Sequence, residues 1–332
     1  MKKNVAIIAG GDSSEFEVSL RSAENLYAYI DKDRYNVYRV IINKDAWKAI
    51  APSNSPEGEG SEDIDKNTFS FRQGNAIIQI DFAYITIHGT PGEDGRLQGY
   101  FDMLGIPYST CGVLTSALTF NKYVCNQFLK GQGITVADSM LFRKGQPVDS
   151  EKIVEELGLP VFVKPNEGGS SFGITKVTEP SRIQGAFEKA FHEGNEVVVE
   201  RFIPGLELTC GCYRTGNQLI VFPVTEVVPH NEFFDYGAKY NGESQEITPA
   251  RISVALTEHI QHETKKIYDL IGAKGIIRVD YIVAPDETAV MLEVNTTPGM
   301  TATSFIPQQV RAAGLNMTDI MTDIIENNGQ KK

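Results

Sequence analysis

The sequence is short of cysteine, with four thiols in 332 residues, at Cys111, Cys125, Cys210 and Cys212. So sparse a set excludes a disulfide framework and fits reduced thiols in a cytoplasm. Cys210 and Cys212 form the one close pair. Without a second pair, their spacing reads as core packing on one strand face rather than zinc ligation. Long apolar runs are also missing. No stretch reaches the ~18 uninterrupted apolar residues of a membrane span, and the opening run VAIIAGG is too short for a secretory signal. Positive charge is in deficit: 31 Lys and Arg against 43 Asp and Glu leave a formal net charge of -12. That balance argues against a nucleic-acid-binding surface and leaves room only for a local basic pocket. Two common nucleotide signatures, GxGxxG and GxxxxGK[ST], are absent, which removes a dinucleotide fingerprint and a P-loop.

What is present is an ordinary globular composition, 41% apolar and 22% charged, over a length that predicts two or three domains. The first third alternates strand and helix: VAIIAGG, a helix from about Ser19, YNVYRVII, then DFAYITIHG followed by LQGYFDMLG. Strands separated by helices imply a parallel sheet with crossovers, hence an α/β fold. Between Asn43 and Gly74 the sequence turns polar and reads as an exposed loop or insertion. LTSALTFNKYVCNQFLKGQG reads as one helical run ending in glycine. The middle third holds PVFVKP, the loop NEGGSSFG, ITKV, a helix after Pro180, and EVVVERF. The last third holds LELTCGCY, LIVFPVTEVV, a helix from about Val254 to Ile271, the pair IIRVDYIV and AVMLEVN, and two closing helices.

That pair carries an anomaly. Its apolar runs are interrupted by Arg278 and Asp280 in the first strand and by Glu293 and Asn295 in the second. Side chains alternate across a strand, so each pair shares a face. A hairpin turning at Asp286–Glu287 sets Asp280 opposite Glu293 and Arg278 opposite Asn295, all on one face. Opposed carboxylates repel, so positive charge is expected between them. Oxygen donors of this kind suit Mg2+ better than zinc. A solvated face on which Arg278 neutralises an acid remains the plainer reading.

Three loops offer further chemistry. In PVFVKPNEGGSSFGITKV, Lys164 ends a strand ahead of glycines whose backbone N–H groups suit phosphate oxygens, although a simple hairpin turn fits too. In GGDSSEFEVS, Glu15 stands before a helix, where it serves either as a charge cap or as a receptor for an ammonium group. In HGTPGEDGRLQG, His88 ends a strand beside an open glycine loop, placed to orient a substrate or move a proton. DYGAKYNGE offers Lys239 and Tyr240 in a polar loop of the length used by lids.

Taken together, GGDSSEFEVSLRS, HGTPGEDGRLQG, KPNEGGSSFG, DYGAKY, RVD and LEVNTTPGMT resemble, in order and spacing, the D-alanine–D-alanine ligases of the ATP-grasp superfamily. The resemblance runs nearly end to end. It implies a three-domain ATP-grasp architecture: a Rossmann-like domain over 1–112, a central subdomain over 113–203 and a catalytic domain over 204–332. It also implies a cytoplasmic homodimer that binds ATP and D-alanine and serves peptidoglycan synthesis. By motif position, Glu200, Arg201, Phe202 and Ile203 would meet adenine and Glu207 the ribose, while Lys122, Lys164 and Lys239 would hold phosphates. Asp280, Glu293 and Asn295 would bind two Mg2+ ions, with Mn2+ as a substitute. Arg278 and the Gly299 N–H would stabilise an oxyanion. Glu15, Ser170 and Tyr240 would form a triad near His88 around the first D-alanine. Ser304 would hold the second carboxylate, with Phe305 beside it where leucine is frequent. Glu232 to Gln245 would close over the site. A same-class ligase with another second substrate and a catalytically silent nucleotide-binding regulator stand as the alternatives.

Overall fold

A computed structural model of the chain describes residues 2–50, 60–169, 172–229 and 244–328. The first sheet is built from β1 (Lys3–Gly10), β2 (Tyr35–Ile42), β3 (Trp47–Ile50), β4 (Ser61–Asp63) and β7 (Phe82–Ile85), in the order β4-β3-β2-β1-β7. β1 runs parallel to β2 and β7, as the alternating pattern predicts, while β3 and β4 extend the edge antiparallel. Helix α1 (Phe16–Tyr29) follows β1, and α2 (Arg96–Leu104) follows β7. α1 begins three residues earlier than Ser19, and Ser19 instead ties the helix down. Its hydroxyl accepts from the Gly10 N–H (3.0 Å) and donates to the Thr86 carbonyl (2.8 Å). Gly10 has φ +104°, and a Cβ there would lie 2.5 Å from the Ile42 carbonyl oxygen, so only glycine fits this strand-to-helix turn.

The polar stretch after Asn43 is not a plain loop. β3, β4 and the hairpin of β5 (Ser70–Gln73) with β6 (Ala76–Gln79) lie within or beside it. A few apolar residues decide this: Phe69 is fully buried and packs edge-on against Trp47, Tyr100 and Phe101. Residues 51–59, the most polar part, lie outside the described residues.

The run from Leu114 to Gly133 is two helices, α3 (Val113–Phe120) and α4 (Lys122–Gly131). Asn121 divides them. It leaves helical geometry at ψ 99°, and its side chain accepts from the Val124 N–H at 3.0 Å, capping α4. Lys122 therefore becomes the first residue of a helix. The second sheet orders β10 (Thr175–Val177), β9 (Val161–Pro165), β11 (Glu196–Arg201) and β8 (Ser139–Arg143), with α5 (Ser150–Leu157) and α6 (Ile183–Glu193) closing its core.

The third sheet runs β15 (Ser244–Ile247), β14 (Thr225–Pro229), β12 (Leu206–Thr215), β16 (Ile276–Val283), β17 (Ala289–Asn295), with β13 (Gln218–Val221) pairing β12. LIVFPVTEVV thus divides into two strands around Phe222-Pro223, since proline has no N–H for a ladder. Helix α7 (Val254–Leu270) covers one face of this sheet, and Cys210 and Cys212 are buried beneath it, as their spacing predicts. The closing helices α8 (Phe305–Ala312) and α9 (Met317–Asn328) lie on β12 and share one apolar core with the first sheet and α1. Ile320, Met321, Ile324 and Ile325 are at most 2% exposed there, and each such burial contributes about 1.5–3 kcal/mol. That packing holds the first and third sheets together across the cleft between them. Among the described residues, no helix is long and apolar enough to cross a membrane.

Candidate active site

The hairpin of β16 and β17 is the floor of the site. Ile277, Val279, Tyr281 and Val283 point into the core, and Arg278 and Asp280 point out of it. The predicted pairs form: Arg278 opposite Asn295 and Asp280 opposite Glu293. The route to them differs from a regular hairpin. At the turn, Ala284 and Thr288 close a three-residue loop, with Glu287 at φ +64°, and Tyr281 faces Met291. Continued without a break, that register would set Leu292 opposite Asp280 and rotate Glu293 into the core. A bulge absorbs Leu292 and returns Glu293 to the face of Asp280. The edge just before the bulge is pinned where the Met291 N–H donates to the Thr135 carbonyl at 2.9 Å.

Arg278 supplies positive charge at Asp280. Its Nε and Nη2 donate to the two Asp280 oxygens at 2.8 and 2.7 Å, in a pair whose side chains are each 13% exposed. Thr209 on β12 donates to Asp280 Oδ1 at 2.6 Å, and the Asn295 amide donates to Oδ2 at 3.1 Å. The Arg278 guanidinium also faces the Phe305 ring at 5.2 Å. Among the described residues no three His, Cys, Asp or Glu side chains cluster as a metal site. The donors that do share a face, two carboxylates and an amide oxygen, have the hard-oxygen chemistry a Mg2+ ion requires.

Two cavities meet at this hairpin. One, of about 720 Å3, is lined by Phe162, Lys164, Glu200 to Ile203, Glu207, Asp280, Leu292 and Glu293. The other, of about 620 Å3, is lined by His88, Glu93, Glu246, Asn295, Gly299 and Ser304. Glu15, Lys122, Gly169, Arg278, Glu293 and Phe305 line both.

In the larger cavity Lys164 is drawn to the wall by Glu200, Nζ to Oε2 2.7 Å, with both side chains nearly buried. Phe162 and Phe202 contact each other at 5.9 Å between ring centroids, and Lys176 lies over the Phe202 ring. The Arg201 side chain runs out to the Glu156 carbonyl (3.1 Å) and Asp138. Lys122 donates to the Gly168 carbonyl at 2.6 Å. Burial lowers its pKa, against the opposing charges of Glu293, Glu93 and Glu200. Glu226, which sequence reasoning did not single out, is forked by Arg251 at 2.9 and 2.7 Å, and that bonding lowers its pKa.

The smaller cavity holds the other predicted groups. Glu15 is buried at the start of α1, 8% exposed, and Gly169 packs so closely that a Cβ there would lie 2.6 Å from its Oε2. His88 is buried, and among the described residues its Nε2 has no hydrogen-bond partner. Burial lowers its pKa, Glu15 opposes and Arg278 reinforces. Gly299 sits against Ser304, whose hydroxyl accepts from the Thr301 N–H (3.1 Å) and contacts the Thr301 hydroxyl at 2.7 Å. Sequence reasoning missed Glu93. Its carboxylate accepts from the Gly89 N–H at 3.0 Å, and burial with the charges of Glu15 and Glu293 raises its pKa to about 7. Glu93 lay inside a quoted loop, but nothing in that loop's composition distinguished it from Asp94. It also missed Glu246, for which a lone acid in a polar stretch was no signal. Ser170, Lys239 and Tyr240 lie outside the described residues, as does the segment 232–243 of the predicted closing loop.

A parallel-sheet first domain, two further sheets and a cavity between them make this an ATP-grasp architecture, the class shared by the solved structures it matches. The D-ala D-ala ligase N-terminus model matches residues 4–111, and the D-ala D-ala ligase C-terminus model matches residues 128–326. The chain belongs to the D-alanine–D-alanine ligase family. It is 64% identical over 327 residues to the D-alanine–D-alanine ligase of Parabacteroides distasonis, covering 98% of each chain. It also superimposes on the VanG D-Ala:D-Ser ligase of Enterococcus faecalis with a TM-score of 0.88 and 32% identity, over 99% of this chain and 100% of that one. A D-alanine–D-alanine ligase of Bacillus anthracis complexed with ATP matches with a TM-score of 0.76 and 28% identity, over 98% and 97%.

Proposed function

We propose that the protein joins two D-alanines into D-alanyl-D-alanine with cleavage of ATP to ADP and phosphate, supplying peptidoglycan precursor synthesis. The observation that carries this reading is the junction itself: a cavity lined by Lys164 and Glu200 to Ile203 and a cavity lined by His88, Glu93 and Ser304 share Lys122, Arg278 and Glu293 as a common wall. A carboxylate in one cavity and a terminal phosphoryl group in the other would meet there.

In this reading the ATP γ-phosphoryl group passes to a carboxylate oxygen of the first D-alanine, a P–O bond to ADP breaking as another forms. The amine of the second D-alanine then attacks that carbonyl carbon, and phosphate leaves with the electron pair of the C–O bond and takes up the proton that the nitrogen gives up. Adenine lies along Glu200 to Ile203 and the ribose at Glu207, while Lys122, Lys164 and Lys239 hold the phosphates. Glu15 receives the first ammonium with Ser170, Tyr240 and a neutral His88 near it. Arg278 and the Gly299 N–H face the oxyanion, where fixed donors in a dry site act most strongly. Ser304 takes the second carboxylate, beside Phe305. Asp280, Glu293 and Asn295 would hold two Mg2+ ions, or Mn2+ in their place, whose bound charge would offset that of the phosphates. Holding both amino acids in register supplies on the order of 7–11 kcal/mol of the barrier. The domain limits 1–112, 113–203 and 204–332, a homodimer and a cytoplasmic location belong to the same proposal.

Product identification tests it. Incubation with D-alanine, L-alanine, ATP and Mg2+ is expected to yield D-alanyl-D-alanine with one phosphate per dipeptide, and no phosphate release on adding D-alanine would reject the reading. A second reading, a ligase with a different second substrate, draws on Phe305 at the wall of the acceptor side.

A further inference from the structure

The smaller cavity must accommodate two amino acids, and therefore two ammonium groups and two carboxylates. Glu15 and Glu93 line it, and the Glu15 charge adds to the cost of ionising Glu93. Glu246, on β15, lines it too, with Thr303, Ser304 and Phe305. Its carboxylate is fastened by Gln308, whose Nε2 donates both to Glu246 Oε2 and to the Thr303 carbonyl (2.7 Å). One amide thus ties Glu246 to the turn that carries Ser304.

Gln308 is neutral, and among the described residues no cation is ion-paired with Glu246. Arg278 acts on it from a distance, while Nε and Nη2 of that guanidinium are bonded to Asp280. Burial raises the Glu246 pKa, and Gln308 and Arg278 oppose the rise. A carboxylate held in a cavity without a matched cation is costly unless a cation arrives with the ligand. Glu226 shows the contrast nearby, since Arg251 already occupies both of its oxygens.

We propose that Glu246 is a specificity-determining residue of the acceptor subsite, its carboxylate receiving the ammonium of the second substrate while Ser304 receives the carboxylate. The inference rests on the ligase reading above and deepens it: the acceptor class is an α-amino acid, and a 2-hydroxy acid is refused because it leaves Glu246 unpaired. Among the described residues Glu246 is then the counterpart, for the second amine, of Glu15 for the first.

The test measures acceptor KM, kcat and product ratio in mixtures of D-alanine with D-lactate, for the wild type, Glu246→Gln and Glu246→Asp. Glu246→Gln keeps the side-chain shape and is expected to raise the acceptor KM roughly tenfold or more. It should change kcat less and move the products toward the depsipeptide. Glu246→Asp keeps the charge and should lie between the two. An unchanged KM and product ratio in Glu246→Gln would overturn the inference, as would equal impairment of the Gln and Asp variants. Both outcomes leave dipeptide synthesis by the wild type intact. A wild type that makes no dipeptide defeats the ligase reading itself.

Discussion

The two cavities that meet at Arg278 treat charge in opposite ways. Three bonded charge pairs line the larger one: Lys164 with Glu200, Arg251 with Glu226 and, from the wall both cavities share, Arg278 with Asp280. In the smaller one, His88, Glu93 and Glu246 are shifted chiefly by burial, and none of them has an ion-paired counter-charge among the described residues. On the proposed assignment, with ATP in the larger cavity and the amino acids in the smaller, the difference follows from what each must hold. A polyphosphate keeps its charge through binding, so its site is built from fixed, mutually held groups. Amino acids change protonation as they react, and groups displaced from their ordinary pKa values suit that task. The larger cavity is organised by pairing, the smaller by desolvation.

The sharpest way to break the comparison is at the wall both cavities share. Glu293→Gln is expected to lower turnover on the order of 100-fold or more, because the proposed mechanism assigns it several kcal/mol of charge stabilisation at the phosphoryl group. Phosphate release checks this, and near-normal rates would remove Glu293 from the metal set.

Pairing in the larger cavity is tested by Lys164→Met. It leaves Glu200, 4% exposed, without its cation, and should destabilise the fold by about 3–5 kcal/mol while raising the KM for ATP. Denaturant melts and ATP titrations read both. An equally stable variant would show that Glu200 is at home without Lys164.

Desolvation in the smaller cavity is tested by pH. Glu93 has a folded-state pKa of about 7 against an ordinary 4.5, so between those values the folded chain binds a proton that the unfolded chain does not. Its contribution is complete below about 4.5 and is lost as pH rises toward 7. Glu93→Gln, which keeps an acceptor for the Gly89 N–H, should therefore raise stability at pH 8 by about 1–3 kcal/mol and flatten the slope between pH 5 and 7. Melts of both proteins across that range decide it.

The smallest effect is expected from Thr209→Val, which removes the 2.6 Å bond to Asp280 and preserves shape. About 1 kcal/mol of stability and a few-fold loss of rate are expected. No change in either would mean that Arg278 and Asn295 orient Asp280 without it.

Much of this was legible in advance. The α/β alternation, the fully buried Cys210 and Cys212, and the shared face of Arg278, Asp280, Glu293 and Asn295 follow from periodicities that a strand or helix imposes on its own sequence. The correct pairs in the hairpin nevertheless arose from a wrong turn count. The real loop is centred on Asp286, which shifts each pairing partner by one residue, and the Leu292 bulge restores the offset. No local signal marks that bulge, because its anchor, Thr135, is more than 150 residues away in the chain. The same holds for Phe69, which turns a polar stretch into strands only once Trp47 and Phe101 are beside it.

By itself, then, the amino-acid order determined which elements form, which faces are apolar, and which motifs place the chain in its family, since these depend on neighbours a few residues apart. Tertiary structure alone decided that Glu93 and Glu246 line the smaller cavity, that Arg278 forks Asp280, and that the two cavities share one wall. Burial and proximity are properties of groups brought together from distant segments, and they alone move a pKa or complete a site.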